Sequence, residues 1–193
     1  MRNYNDWSSG EVDELTGYGT VIMSDHAYIH KGLAFTYNVV LDLAVDEVKE
    51  LMLETPEVEE QRFIHLRPLR IATSASGIEY HMFEGPDTGA ATEATIAVWN
   101  RNRNATLEYI EPKAKVYSDV VVNNLGKLLE TFYIGEGGSR RNSAGGDSSA
   151  DEEILLRPGT TYLFRFYNDG GMPTRVSFNL FWYEESHKVE PVD

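Results

Sequence analysis

The chain has 193 residues, 41% of them apolar and 25% charged, with 17 Lys and Arg against 31 Asp and Glu for a formal charge of -14, and no cysteine. The length suits one domain with a sizeable core, and the missing cysteines exclude a disulfide framework, a cysteine-based zinc site and a cysteine nucleophile. The acidic balance argues against nucleic acid as a partner, because a phosphate-binding face needs clustered Lys and Arg.

Residues 1–24 mix Asn, Ser, Gly and acids with the isolated aromatics Tyr4, Trp7 and Tyr18, and read as an extended arm. Met1 to Gly10 is polar and lacks the apolar stretch of a secretory signal, and no run in the chain approaches the roughly 18 apolar residues that span a bilayer. Neither secretion nor a membrane is therefore expected, and the absence of cysteine is compatible with a reducing cytosol. Trp7 either drapes over the domain or inserts into a neighbour, since aromatics are common interface residues. The main domain is expected over residues 25–185, with an acidic tail at 186–193.

From Leu33 to Asp42 apolar and polar residues alternate with period two, which predicts a strand. Val45 to Leu53 fits either two helical turns or a short strand that ends before Pro56. Phe63 to Ile71 predicts a strand whose phase slips at Pro68, as at an edge or a bulge. Ile78, Tyr80 and Met82 alternate with Glu79, His81 and Phe83 before Gly85-Pro86-Asp87 breaks the run. Thr92 to Trp99 has strand composition, and Asn100-Arg101-Asn102-Arg103-Asn104 reads as a polar connection to Thr106–Ile110. Val116–Val122 and Lys127–Ile134 flank Asn123-Asn124-Leu125-Gly126, which resembles a hairpin loop and predicts an antiparallel pair.

Residues 135–151 form a Gly/Ser/Asn-rich insertion carrying Arg140 and Arg141. After the turn Arg157-Pro158-Gly159-Thr160, Tyr162, Phe164 and Phe166 share one face, as do Val176, Phe178, Leu180 and Trp182. Eight to ten short strands without a three-turn helix predict an all-β antiparallel β-sandwich, jelly-roll-like, with an immunoglobulin-like sandwich as the second choice.

Little in the chain points to catalysis. His26 and His30 sit in what reads as extended chain, where an even offset puts them about 13 Å apart, too far for one metal. His65 and His81 could neighbour each other across a sheet or join a carboxylate, but nothing beside them completes a ligand set. No HExxH, Walker loop or GxSxG elbow occurs, and Gly135-Glu136-Gly137-Gly138 lacks the features of a phosphate cradle. The paired acids Glu59-Glu60, Asp151-Glu152-Glu153 and Glu184-Glu185 read as solvated charge in or beside loops. The chain is thus expected to be no enzyme, with no catalytic residue, metal or cofactor.

Several ordered segments carry a resemblance. His26-Ala-Tyr-Ile-His30-Lys-Gly-Leu-Ala-Phe35, the Asn-Arg-Asn-Arg-Asn run after Trp99, Phe132-Tyr-Ile-Gly-Glu-Gly-Gly, Ile154-Leu-Leu-Arg-Pro-Gly-Thr-Thr-Tyr-Leu-Phe-Arg-Phe and Phe178-Asn-Leu-Phe-Trp-Tyr-Glu resemble a family of tailed-bacteriophage virion proteins. These are small β-sandwiches similar to head decoration or cement proteins. The resemblance implies a structural protein made in the bacterial host cytoplasm. It would sit on the outer capsid surface, at junctions between major capsid protein subunits, as a homotrimer or homodimer. It implies no catalysis and no cofactor. The competing expectation is a glycan-binding β-sandwich module. Arg101 and Arg103, Arg140 and Arg141 are the paired-arginine loops of the chain and, with Trp7, the expected partner-binding residues, since the planar guanidinium binds carboxylates bidentately.

The acid excess is localised. Residues 1–14 carry one base and four acids, residues 42–60 one base and eight acids, and residues 184–193 one base and four acids.

Overall fold

The structure is a computed structural model, and it describes residues 24–67, 69–93, 98–104, 110–135 and 153–186. Trp7, Arg140, Arg141 and Pro68, the 106–109 part of the expected Thr106–Ile110 strand, most of the 135–151 insertion and all but residue 186 of the tail lie outside the described residues. A short helix α1 (Ser24–His30) leads into β1 (Ala34–Leu43) and β2 (Val48–Glu54). A 3-10 turn (Val58–Glu60) precedes β3 (Arg62–Leu66), β4 (Arg70–Thr73) and β5 (Ile78–Glu84). Five short segments follow: β6 (Asp87–Thr88), β7 (Thr92–Glu93), β8 (Trp99–Asn100), β9 (Lys115–Ser118) and β10 (Val122–Asn124). The chain closes with β11 (Lys127–Ile134), β12 (Ile154–Leu155), β13 (Thr161–Tyr167) and β14 (Thr174–Ser186).

Twelve of these strands make two packed antiparallel sheets, a β-sandwich, and β6 pairs with β10 in a separate two-stranded sheet. The first runs β12-β3-β14-β1-β8 with β4 also on β14, and the second runs β11-β5-β13-β2-β9-β7. The longest strand, β14, is the spine of the first sheet and pairs with β1 over ten residues, from Ala34 opposite Tyr183 to Leu43 opposite Thr174. Alternation along it is strict: Val176, Phe178, Leu180 and Trp182 are at most 1% exposed. The intervening residues therefore face outward, as period two requires.

Tyr162, Phe164 and Phe166 on β13 supply the facing layer. Phe178 meets Phe164 at 5.4 Å and Phe166 at 5.0 Å between ring centroids, so aromatic contacts join the two sheets directly. A second cluster lies on the far side of the second sheet, where Met52, Phe83 and Leu163 are covered by Ala91, Tyr117, Val120, Val122 and Leu125. The excursion from β6 to β10 thus roofs the second sheet. The outer face of the first sheet keeps exposed residues such as Asn38 and Val40.

The phase slip expected at residue 68 is present. Leu66 pairs with Trp182 and Arg70 with Asn179, so four steps on one side match three on β14. One extra residue is accommodated there, and Ile64, Leu66 and Ile71 all reach the core despite their different parity. Val48–Glu54 is a strand, which decides between the two forms open for Val45–Leu53.

Several expectations are corrected. His26 to His30 is helical rather than extended, and a four-residue offset on one helix face brings the two rings to 4.8 Å. Thr92 to Trp99 is not one strand, because β7 pairs in the second sheet and β8 in the first. The expected hairpin does not form either. β9 pairs with β2 and β7, β10 with β6, and β11 with β5. Gly126 explains the crossing: at φ +80 it passes so close to the β5 turn that a Cβ would lie 2.4 Å from the Glu84 carbonyl oxygen. The chain therefore turns onto β5 rather than back onto β10.

Candidate functional site

The clearest surface feature is built by Trp99-Asn-Arg-Asn-Arg-Asn104. Asn100 and Asn102 bond inward and fix the backbone. Asn100 is 2% exposed, donates its amide to the carbonyls of Gly32 (2.7 Å) and Ile110 (3.0 Å), and accepts the Asn102 N–H at 2.9 Å. Asn102 repeats the pattern, donating to the His30 carbonyl at 3.0 Å and accepting the Asn104 N–H at 2.9 Å. Successive Asx turns of this kind replace the ladder that the loop lacks.

With the asparagines turned in, the alternate arginines turn out. Arg103 lies over the ring of Trp99 at 5.2 Å, and Arg101 lies over Phe181 at 5.5 Å. Arg70, from β4, lies over the same Phe181 ring at 5.2 Å. Trp99 is 51% exposed. A guanidinium stacked on a ring keeps its N–H edges free for bidentate bonds in its own plane, so this rigid face is suited to carboxylates. Arg101 and Arg103, expected from sequence as partner-binding residues, are brought together here. Arg70 and Phe181 join them, and reading the chain did not pick these out because they lie far away in sequence.

A second cluster fastens three chain segments at one end of the same sheet. The Tyr28 ring of α1 stacks on Tyr183 at 4.2 Å, and Tyr183 stacks on His65 at 4.5 Å. Glu153 accepts from His65 Nδ1 and from the Tyr183 hydroxyl, both at 2.6 Å, and pairs with Arg67 at 3.3 Å. Tyr28 donates to Glu185 at 2.5 Å. His65 Nε2 lies 3.2 Å from Glu185 Oε2 but off the line of a hydrogen bond, so that contact is electrostatic. Burial opposes the charge on Glu153, yet the bonds from Tyr183, His65 and Arg67 outweigh it and hold the carboxyl below its ordinary range. Burial and the neighbouring carboxylates push both tyrosine hydroxyls well up. The members bond and stack on one another, with His65 Nε2 the one buried side-chain atom among them left without a hydrogen bond, and the cluster is a brace that ties α1, the start of β12 and the end of β14 to β3.

The reading of Glu184-Glu185 and Glu153 as solvated charge is therefore corrected. Glu185 and Glu153 belong to the brace, and Glu184 is 0% exposed. Glu184 accepts from the Lys113 N–H at 2.9 Å, the Ala114 N–H at 3.2 Å and the Trp182 indole N–H at 3.2 Å. Burial raises its pKa, and these bonds oppose the shift only in part. His81 bonds Thr131 and lies 3.3 Å from Glu79 on the outer face of the second sheet. Among the described residues no group of three or more His, Asp and Glu is placed to hold a metal ion, and no helix is long and apolar enough to cross a membrane.

No protein-family model matches the chain, and no curated protein is significantly similar to it.

Proposed function

We propose that the chain is a structural virion protein that binds the outer surface of a phage capsid, at junctions between major capsid protein subunits, and stabilises the head against the pressure of packaged DNA. The observation that carries this reading is the arginine–aromatic face. Trp and Arg are among the residues most enriched at positions that dominate protein–protein affinity, and here they are exposed, stacked on rings and held in a loop fixed by the buried Asn100. The loop that builds it is one of the segments on which the resemblance to decoration proteins rests.

The strand order supports the jelly-roll form of the sandwich. Numbering β1, β2, β3 with β4, β5, β11, β12, β13 and β14 as first to eighth, one sheet reads first-eighth-third-sixth and the other second-seventh-fourth-fifth. That order nests the strands as two interlocked Greek keys.

The test is co-sedimentation with purified empty heads set against pull-down on surface polysaccharide. Binding to heads is expected, and replacing Arg101, Arg103, Arg140 and Arg141 by Ala is expected to reduce occupancy. Binding to polysaccharide alone would transfer the exposed Trp99 to the competing glycan-binding reading. Unchanged occupancy in the four-arginine variant would remove these loops from the contact.

A further inference from the structure

Four of the eight described arginines pair with a carboxylate. Arg67, Arg157, Arg165 and Arg175 face Glu153, Glu84, Glu50 and Asp42 at 3.3, 3.5, 3.1 and 2.7 Å. Arg70, Arg101 and Arg103 meet no carboxylate among the described residues, and these three gather on one face around Phe181 and Trp99. A chain of net charge -14 that keeps three adjacent guanidiniums clear of its own acids presents a site for acids from elsewhere.

The same molecule carries the complement. The 3-10 turn Val58–Glu60 between β2 and β3 has no buried residue, and Glu57, Glu59 and Glu60 are all exposed there. Val58 is 56% exposed among them. The turn is held by the Glu60 N–H on the Glu57 carbonyl at 3.1 Å and the Gln61 N–H on the Val58 carbonyl at 3.0 Å, and Gln61 ends it at φ 51. Glu60 shares its carboxylate with Lys113 at 2.9 Å, whereas Glu59 meets no cation among the described residues. Exposed Val58 with carboxylates on both sides, Glu59 among them without a cation, complements a face where Arg103 lies over the exposed Trp99 and Arg70 and Arg101 lie over Phe181.

We propose that the arginine–aromatic face of one copy takes the acidic turn Glu57–Glu60 of the next, with Val58 against Trp99. The inference rests on reading the face as a protein-contact surface: a second copy occupies it, and the multivalent assembly so built meets the shell, so loss of the arginines lowers head occupancy through loss of the assembly. Donor and acceptor are different patches, and we take their contact as head to tail, which builds a ring where the rotation between copies closes.

Charge reversal tests it. Sedimentation velocity of the full chain is expected to show a ring of at least three copies. Arg101→Glu with Arg103→Glu, and separately Glu59→Arg with Glu60→Arg, are each expected to weaken self-association more than about tenfold, the scale of one charge-assisted hydrogen bond. Mixing the two reversed variants is expected to restore hetero-association, because each then supplies the charge that the other needs. All these side chains are exposed, so the thermal midpoints should stay close to that of the parent and certify the fold. A monomer at every concentration, an oligomer indifferent to both reversals, or a mixture that fails to reassociate would each overturn the proposal. Head binding is read separately: a monomer that still co-sediments with heads removes this inference and keeps the decoration role, while a ring that ignores heads does the opposite.

Discussion

Single polar side chains decide whether the candidate surface exists. Asn100 is the pivot of the arginine loop, since one buried amide satisfies two carbonyls and its oxygen holds the next turn. Asn100→Ala is expected to leave those carbonyls unpaired and cost about 1–3 kcal/mol, read as a lower urea midpoint at unchanged slope. The same variant should weaken partner binding although it removes no charge. The alternation Asn-Arg-Asn-Arg-Asn was legible as a string of polar residues, but which of them turns inward was not. Burial of a polar residue depends on carbonyls brought near by other segments, here Gly32 and Ile110, and leaves no hydrophobic period to read. Glu184 was missed for the same reason.

Glu153 and Glu184 respond to pH with opposite signs. Glu153 has its folded pKa below the unfolded value of 4.5, so its contribution is present above that pH and is lost as pH falls through the lower folded value. Glu184 has its folded pKa above 4.5, so stability linked to its protonated form is present below that pH and is lost as pH rises through the raised value. Glu153→Gln is therefore expected to lose stability at neutral pH and to flatten the acid limb. Glu184→Gln should remove a loss of stability on the neutral side. Thermal midpoints measured from pH 3 to pH 7 on both variants check the pair of signs.

At the scale of elements, β14 carries the first sheet and is also the most legible strand, because buried and outward residues alternate without interruption from Thr174 to Trp182. Trp182 is its largest buried side chain, 1% exposed and packed against Phe35 at 6.0 Å between rings. Trp182→Ala is expected to cost about 3–5 kcal/mol and to show as loss of cooperative unfolding or of soluble protein. Short elements were read less well. A strand of two residues such as β7 or β8 has no period of its own, so nothing local says that Trp99 belongs to the first sheet while Thr92 belongs to the second. The Asn123–Gly126 turn carries ordinary hairpin residues, yet β11 binds β5. Gly126→Ala tests that crossing: a Cβ 2.4 Å from a backbone oxygen at a left-handed φ forces the turn to open, and the expected result is lost stability without lost exposed charge.

For the whole molecule, net charge is less informative than its placement. The eight acids of residues 42–60 do not form one solvated block. Asp42, Glu47, Glu50 and Glu60 pair with Arg175, Lys49, Arg165 and Lys113, while the exposed Asp46, Glu57 and Glu59 meet no cation among the described residues, the last two at the 3-10 turn. Three of the arginines without a carboxylate partner, Arg70, Arg101 and Arg103, gather on the arginine–aromatic face. A globally acidic chain thus has a local polarity, and association through that face must respond to ionic strength. Raising salt from about 0.1 to about 1 M shrinks the screening length from about 10 to about 3 Å and weakens steering between exposed charges. Association of the parent is expected to slow and weaken steeply over that range, measured by the concentration dependence of light scattering or by surface binding. Arg70→Gln, Arg101→Gln and Arg103→Gln together should give weaker association with a shallower salt slope. A parent whose association ignores salt would instead assign the contact to Trp99, Phe181 and the apolar stems of the arginines, with the charges setting orientation alone.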